Sequence, residues 1–543
     1  LKAMEQANEG SLEGRVARRI IEELKGGKPG KDALAVLKYR ICKEEGLTKV
    51  LKDHEVARYL RGDEGWLREL LRGKSVRGAS GIYTVAVMTK PSKCPKEKPC
   101  LYCPGGVDSG TPQSYLGREP ALMRGLQTGF DPYLQVRYRI GQYEAIGHIP
   151  SKIHLIIMGG TFPAADLEYQ EWFITRCFQA MNDYPKEKGW RWQYLERAME
   201  ENELAGIRCT GITLETRPDW AGEGQTDRMI SLGATLVEIG VQALDDRVLQ
   251  LVNRGHCVDD VVSATRTLRD SGLKVGYHMM PGLPGRGADG DLEDLERIFE
   301  DPDFRPDYLK IYPTLVIEGT GLYELWKGGQ YKAMEIEEAA ELIERASEHF
   351  PEWVRVSRIQ RDVPADIIVD GVKASNLREL VEKRLSRDGR RCRCIRCREI
   401  GIAEARGRRV CSLDPKIRVA TYEAGGGQEE FISVVDARND LLIGFLRLRI
   451  PSERAHRKEV EGAAVVRELH VYGKQIPVGK REEGGFQHQG WGTDLLRRAE
   501  EIASDKYDRK RIVVLPGAGV REYYRKRGYS RVSSSPFMVK ELG

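Results

Sequence analysis

No stretch of this chain approaches the roughly 18 consecutive apolar residues of a membrane span, and no signal-peptide pattern opens it. The expectation is therefore a cytoplasmic protein with no membrane partner. Internal repeats and low-complexity tracts are also missing, which leaves ordinary globular domains. Strong charge of either sign is lacking too: 87 Lys+Arg against 82 Asp+Glu leave +5. That is too mild to establish nucleic-acid binding by itself. Even the initiator methionine is missing, since residue 1 is Leu1, so the sequence is expected to begin inside a longer natural chain.

What is present is length and thiols. A chain of 543 residues has room for roughly two to four domains with real cores. Its 11 cysteines are odd in number and clustered, which favours metal ligation in a reducing compartment over disulfides.

The organising stretch is Cys94-Pro-Lys-Glu-Lys-Pro-Cys100-Leu-Tyr-Cys103-Pro-Gly-Gly106, three thiols within ten residues. Its Gly, Pro and Lys content predicts a loop on which the thiols converge. Soft thiolates select zinc, copper or iron–sulfur clusters. Three ligands on a four-iron cluster leave one iron open for chemistry, and Tyr102 adds an aromatic wall. A structural zinc completed by a distant ligand is the alternative at this point.

From Ala79 onward, short apolar runs alternate with helix-length segments. The runs are Ile82–Met88, His154–Met158, Gly211–Leu214, Leu236–Ile239, Lys274–His278 and Tyr308–Ile311. This alternation predicts a parallel sheet with right-handed crossovers, hence an α/β domain. Each run ends in glycine, proline or a polar group, so the special residues gather at one rim, where parallel barrels hold their chemistry. Gly159, Gly160 and Thr161 end the second run, Glu215 and Arg217 the third, Gln242 the fourth, and Lys310 and Tyr312 the sixth.

The final Cys-x-aromatic-Cys with a third cysteine upstream resembles the radical S-adenosylmethionine (SAM) cluster loop, although the first gap of five residues is longer than usual. The flanking Cys-Pro-Gly-Gly, together with Ser114-Tyr-Leu-Gly117, Arg358-Ile-Gln-Arg-Asp362 and Asn376-Leu-Arg-Glu379, resembles the Elongator catalytic-subunit family, in its prokaryotic branch. The resemblance implies a partial parallel (β/α) radical-SAM barrel. In it Cys94, Cys100 and Cys103 hold a 4Fe-4S cluster, and Gly159, Gly160 and Thr161 hold SAM. Glu215, Arg217, Gln242 and, more weakly, Arg254 are further SAM candidates, although Glu215 and Arg217 suit a structural rim ion pair equally well. Lys310 and Tyr312 are the candidates to position or protonate the product.

Cys392, Cys394 and Cys397 lie among arginines, with Cys411 a little further on. Such thiols cannot be core fillers, and positive neighbours favour thiolates. Four of them close a tetrahedral structural zinc site; a second cluster is the other option.

The last stretch reads as a separate α+β domain. Glu430–Val435 and Leu442–Leu448 look like antiparallel neighbours, followed by Val465–Val471, then Gln487-His-Gln-Gly490-Trp-Gly492 opening a helix over 493–503. A glycine loop at a helix start offers free N–H groups to an anion. The order resembles the GNAT-type acetyltransferases, which implies acetyl-CoA at Gln487, Gly490 and Gly492 with an aromatic from Tyr523 or Tyr524. Ordinary packing is the competing role for one of these tyrosines.

The expected division is 1–78 helical basic arm, 79–385 radical SAM domain, 386–415 zinc linker and 416–543 acetyl-CoA domain. Val16, Ile20, Ile21 and Leu24 make an apolar stripe ringed by Arg15, Arg18, Arg19 and Lys25, and Arg72 to Arg77 end a second pattern. These cations, and those from Arg384 to Arg409, are candidate RNA surfaces.

The pairing of the two domains implies a tRNA-modifying acyltransferase that forms 5-carboxymethyluridine at the wobble position. The resemblance implies that SAM cleavage at the reduced cluster gives a radical that takes hydrogen from the acetyl methyl group. Addition to uracil and thioester hydrolysis follow. Its partners would be a tRNA anticodon stem-loop and an electron donor, with a homodimer or further subunits open. Two alternatives stand beside it. One is a protein lysine acetyltransferase with a regulatory iron–sulfur domain, which needs a general base such as Glu468. The other is a non-catalytic RNA-binding scaffold.

Overall fold

The computed structural model describes residues 10–27, 31–61, 64, 67–71, 78–148, 150–189, 191–408, 413–473, 490–533 and 535–543. The strand–helix alternation becomes one parallel sheet of seven strands in sequential order. They are β1 (Tyr83–Met88), β2 (Lys152–Met158), β3 (Arg208–Thr216), β4 (Ala234–Gln242), β5 (Lys274–Met279), β6 (Tyr308–Ile311) and β7 (Arg355–Ile359). β1 and β7 remain unpaired with each other, so the barrel is partial, as expected. Strands β2 and β3 begin earlier than their apolar runs because Lys152 and Arg208 pair across the ladder. β7 was not legible as a strand, since its sequence RVSRI carries an arginine on either side of its middle.

The outward side chains of the barrel are buried under helices such as Pro132–Ala145, Leu167–Asp183 and Val258–Asp270. Apolar burial of this kind is worth about 25 cal/mol per Å², and it fixes the wall that carries the rim. The inward positions are different. β1 has burial alternating with exposure at Thr84 and Ala86, and β2 does so at Lys152, His154, Ile156 and Met158.

A second sheet of seven strands is mixed. It contains β8 (Pro415–Ala424), β9 (Gly427–Asp436), β10 (Leu441–Ile450), β11 (Ala464–Val471), β12 (Arg511–Val514), β13 (Ser530–Arg531) and β14 (Met538–Glu541). Its order is β8-β9-β10-β11-β12-β14-β13, with β11 and β12 parallel. β8 is a mostly exposed edge strand, so Lys416 and Arg418 interrupt the apolar run that would have marked it as a strand. The helix Trp491–Glu501 covers one face through Leu495, Leu496 and Ala499. On the other face Val465, Val513, Leu515 and Phe537 join the hydrophobic core of the barrel. The contact is close enough that a Cβ on Gly517 would stand 2.3 Å from the Thr210 carbonyl oxygen, so only glycine fits there.

Buried charge closes this junction. Asp307 receives Arg467 in a two-pronged pair at 2.7 and 2.8 Å. Glu429 receives Arg269, Arg449 and Arg467 at 2.9, 3.0 and 2.7 Å. Asp270 takes Arg449 at 2.6 Å, and Glu468 takes Arg447 at 2.9 Å. Four arginines thus meet four carboxylates, all buried except the partly exposed Glu468.

The N-terminal helices Leu12–Lys25, Lys31–Glu44 and Asp53–Ala57 have their own core around Val16, Ile20, Ile21 and Leu24. Their cations are less free than composition suggests. Arg18 pairs with Glu22 and Glu64, Arg19 with Glu44 and Glu45, and Lys25 with Glu22 and Glu64. The same holds for Arg384 with Glu344, Arg391 with Asp440, and Arg406 with Glu382. Arg72 to Arg77 lie outside the described residues.

Candidate active site

The rim residues converge. Cys94, Cys100, Cys103, Gly159, Gly160, Thr161, Glu215, Arg217, Gln242 and Tyr312 all line one cavity of about 250 Å³ at the carboxyl ends of the strands. Its thiol loop is fixed to the barrel: the Leu101 and Leu322 amides donate to the Val252 and Leu101 carbonyls at 3.0 and 2.8 Å. Lys96 Nζ donates to Cys100 Sγ at 3.2 Å. Burial alone would raise the Cys100 thiol pKa, yet Arg254 and Lys96 outweigh it and hold the thiol below its ordinary value. Burial raises that of Cys103, against hydrogen bonding from Ser114 and Gln113. The Gln113 amide donates to Cys103 Sγ at 3.2 Å, and Ser114 Oγ lies 2.9 Å away.

The donor set fits a multi-iron cluster better than one ion. Cys392, Cys394 and Cys397 have sulfurs within 4.8 Å of one another, while among the described residues the rim trio is not such a group. A single tetrahedral zinc, with Zn–S near 2.3 Å, wants sulfurs about 3.8 Å apart. Wider spacing around a shared cavity, with cationic neighbours, suits an anionic cluster.

Gly159 and Gly160 both have positive φ, 127° and 105°, but for different reasons. A Cβ on Gly159 would meet Thr89 Oγ1 at 2.1 Å, whereas one on Gly160 meets nothing nearer than Gln113 Cβ at 3.9 Å. Gly159 is thus required by packing, and Gly160 leaves open space for a ligand against its backbone. Ser114 and Gln242 adopt positive φ as well, 75° in each case, which places local strain at this cavity. Gln242 Oε1 and Arg217 Nη1 are buried without a partner, the condition of groups that await a ligand. Arg217 otherwise holds Asp219 and the Gly255 carbonyl, the latter at 3.0 Å, so the ion pair with Glu215 does not form.

Part of the cavity wall is a layer the sequence only half revealed, with Glu215, Glu238 and His278 lining the cavity and Lys310 joined to them. Lys310 Nζ sits 2.5 Å from Glu238 and 3.3 Å from Glu215, and His278 Nε2 is 3.3 Å from Glu238. Burial would strip the Lys310 proton, but Glu238, then Tyr312 and Glu215, reverse the balance and raise its pKa. Glu238 is correspondingly held below the carboxylate range by Lys310 and His278, against its burial. Burial raises the Tyr312 phenol pKa, keeping it a donor. Glu238 and His278 were missed because a single Glu or His inside a β-run carries no motif; inward alternation on adjacent strands was the available signal.

In the second domain, Gly490 caps the helix Trp491–Glu501 with φ 98°. A Cβ on Gly492 would stand 2.5 Å from the Tyr523 hydroxyl, a buried hydroxyl without a partner. Arg527 stacks 3.5 Å over the Tyr523 ring. Tyr524 instead packs in the core against Tyr529 at 5.6 Å, which assigns the packing role within the pair. Gln487 and Cys411 lie outside the described residues. Glu468 accepts from Tyr308 at 2.5 Å and from Arg447 at 2.9 Å, so it is not a free base of the kind a lysine acetyltransferase needs.

The Radical SAM superfamily profile matches residues 91–298, and the Radical_SAM C-terminal domain matches 306–387. A Methanocaldococcus jannaschii protein named tRNA uridine(34) acetyltransferase is 52% identical over 479 residues, covering 87% of each chain. The Homo sapiens Elongator complex protein 3 is 44% identical over 480 residues, covering 87% of this chain and 86% of its own. The structure of an archaeal Methanocaldococcus infernus Elp3 with an N-terminal deletion superposes with a TM-score of 0.73 at 47% identity, covering 85% of this chain and all of that one. With this similarity running through both the barrel and the second sheet, the chain belongs to the Elongator complex protein 3 family of radical SAM proteins.

Proposed function

We propose that this chain modifies the wobble uridine of tRNA, forming 5-carboxymethyluridine from acetyl-CoA by radical SAM chemistry in the cytoplasm. The observation that carries the reading is one polypeptide in which a barrel with a thiol-lined rim cavity is docked against a second sheet that bears a glycine-capped helix on its other face. Relatives named for a tRNA uridine and an acetyl group support it. The four-part division at 1–78, 79–385, 386–415 and 416–543 belongs to the same proposal.

Cys94, Cys100 and Cys103 would hold a 4Fe-4S cluster, while Gly160, Thr161, Glu215, Arg217 and Gln242 would hold SAM, with Gly159 shaping the turn. When bound, this pair supplies a carbon radical able to take hydrogen from an unactivated methyl group, which acid–base groups cannot do. The protein orients the partners and manages charge. Gly490 and Gly492 present backbone N–H groups to the CoA pyrophosphate, and Tyr523 lies beside them. Lys93, Lys96, Arg358 and Arg361 line the cavity mouth, where they suit the phosphates of an anticodon loop. Bases of a loop leave their stack at low cost.

Lys310 keeps a positive charge beneath the reacting rim, and Tyr312 offers a proton-bearing hydroxyl beside it. Lys310→Met should lower nucleoside formation about 10²-fold or more. Lys310→Arg should recover part of it, and SAM binding measured by calorimetry should change far less than turnover. Equal losses in both would make Lys310 a binding residue only.

Cys392, Cys394 and Cys397 are proposed as ligands of a structural zinc, with Cys411 as the fourth. Cys394→Ser should remove the zinc found by elemental analysis and lower the thermal midpoint, leaving the iron content of the rim unchanged. Zinc retained in that variant would exclude the assignment.

The function is tested by anaerobic reconstitution with iron and sulfide, then incubation with SAM, acetyl-CoA, reductant and bulk tRNA. Mass spectrometry of the digested tRNA should show 5-carboxymethyluridine. Acetyl transfer to basic proteins, without a new nucleoside, would support the lysine acetyltransferase instead.

A further inference from the structure

The open seam of the barrel is bridged beside the thiol loop. β1 and β7 are the two end strands of the sheet, each paired on one side only. After β1 the chain makes the thiol loop and then folds back on it. The Ser114 amide donates to the Pro104 carbonyl at 3.0 Å, and Thr111 Oγ1 donates to the Tyr115 carbonyl at 2.8 Å. A Cβ on Gly105 would stand 2.0 Å from that Tyr115 oxygen, so the return is tight. From the other side of the seam, just past β7, Arg361 Nη2 donates to the Ser114 carbonyl at 2.7 Å.

Ser114 bears the strain of this arrangement. Its φ of 75° is costly for a residue with a Cβ and persists only where neighbours hold it. What the strained turn delivers is a pair of donors on one sulfur: Ser114 Oγ lies 2.9 Å from Cys103 Sγ, and the Gln113 amide donates to the same atom at 3.2 Å. A cysteine bound to iron carries no proton, so in that state the hydroxyl is a donor too. Cys100 is served differently, by the cations Lys96 at 3.2 Å and Arg254 at 3.8 Å. Hydrogen bonds to the sulfurs are one of the levers that set a cluster's reduction potential. Reduction adds negative charge, and a donor aimed at a sulfur stabilises the more negative state.

We propose that Arg361 is a positioning residue for the rim cluster: it holds Gln113 and Ser114 as donors onto Cys103 Sγ and so raises the potential at which the cluster accepts its electron. Arg361 acts from the opposite end of the sheet and touches no thiol itself. One contact across the seam therefore sets both the shape of the thiol loop's return and the electron affinity of the site. This rests on the assignment of Cys94, Cys100 and Cys103 to a cluster, and the experiment separates the two.

The full chain is reconstituted with iron and sulfide and poised at a series of potentials, and the reduced cluster is counted by electron paramagnetic resonance. Ser114→Gly removes the hydroxyl where positive φ suits glycine, and Gln113→Leu removes the amide. Each should lower the reduced-to-oxidised ratio at the wild-type midpoint about tenfold, a shift of about 59 mV for one electron. Arg361→Gln should lower the midpoint as well, and Arg361→Lys by less. Added to the Gln113→Leu, Ser114→Gly pair, Arg361→Gln should shift it little further, since it acts through them. Arg118→Gln, which removes the exposed Arg118–Asp366 pair across the same seam, should keep the wild-type midpoint. A wild-type midpoint in Arg361→Gln at full iron content would overturn the proposal, and so would a fully additive shift, the mark of a bare field effect. If Arg361→Gln loses its iron, Arg361→Lys takes its place under the same two conditions. A wild-type protein that takes up no iron would overturn the cluster assignment instead.

Discussion

Asp307→Ala is expected to destabilise the protein by about 3–5 kcal/mol, as breaking a buried charge network does. The reason is what it leaves behind. Asp307 is fully buried and carries the two-pronged Arg467 pair, Arg447 at 3.4 Å, Arg269 at 3.5 Å and the Val275 amide at 2.9 Å. Its removal strands cationic groups in a site that water cannot reach. Because these arginines come from both sides of the junction, the first thermal transition should fall and the two domains should unfold in separate steps. The exposed Arg118–Asp366 pair provides the control: Asp366→Ala should leave the transition unchanged. A single unshifted transition in Asp307→Ala would show that the apolar contacts carry the junction alone.

The same network sets an acid limit. Asp307, Glu429 and Glu468 are each driven up by burial, but neighbouring arginines win and hold all three below the ordinary carboxylate range. A depressed carboxylate stabilises the fold above its unfolded pKa of about 4 and loses that contribution as pH falls further. Between neutral pH and about pH 5 the junction should hold, with its loss confined to more acid solutions.

The second large effect is at the rim. Cys103→Ala should abolish nucleoside formation while leaving acetyl-CoA binding intact, because the two sites are built from different elements. Among the described residues Cys103 is one of three thiols that line this cavity, and its sulfur accepts from the Gln113 amide and lies 2.9 Å from Ser114 Oγ. Loss of one ligand from a three-cysteine set leaves no replacement among the described residues, since no other described cysteine lines the cavity. Iron content and product should fall together. Product surviving without iron would refute the assignment of these thiols.

Much of this was legible in residues that work locally. Gly159 and Gly160 announced a turn that only glycine can make, and the clustered thiols announced a ligand. The regular apolar runs revealed β1 to β6, because a buried parallel strand must be apolar over several residues. β7 and β8 were hidden by arginines and lysines that the fold places inside the lumen or at a sheet edge. The Glu238–Lys310–His278 layer and the arginine–carboxylate junction were also hidden. Each draws its members from distant segments, and a buried Arg467 or Arg447 looks in sequence like a surface cation. Even the basic N-terminal stripe changed meaning once Glu64 was found beneath Arg18 and Lys25.

The central claim is that the acetyl group and the rim act on each other within one chain. Its most direct test is turnover with acetyl-CoA deuterated on the acetyl methyl group, in the presence of SAM, reductant and tRNA, followed by mass spectrometry of the 5′-deoxyadenosine released. Deuterium in that 5′-deoxyadenosine, absent with Cys103→Ala, is the predicted result. Unlabelled 5′-deoxyadenosine alongside new 5-carboxymethyluridine would contradict it.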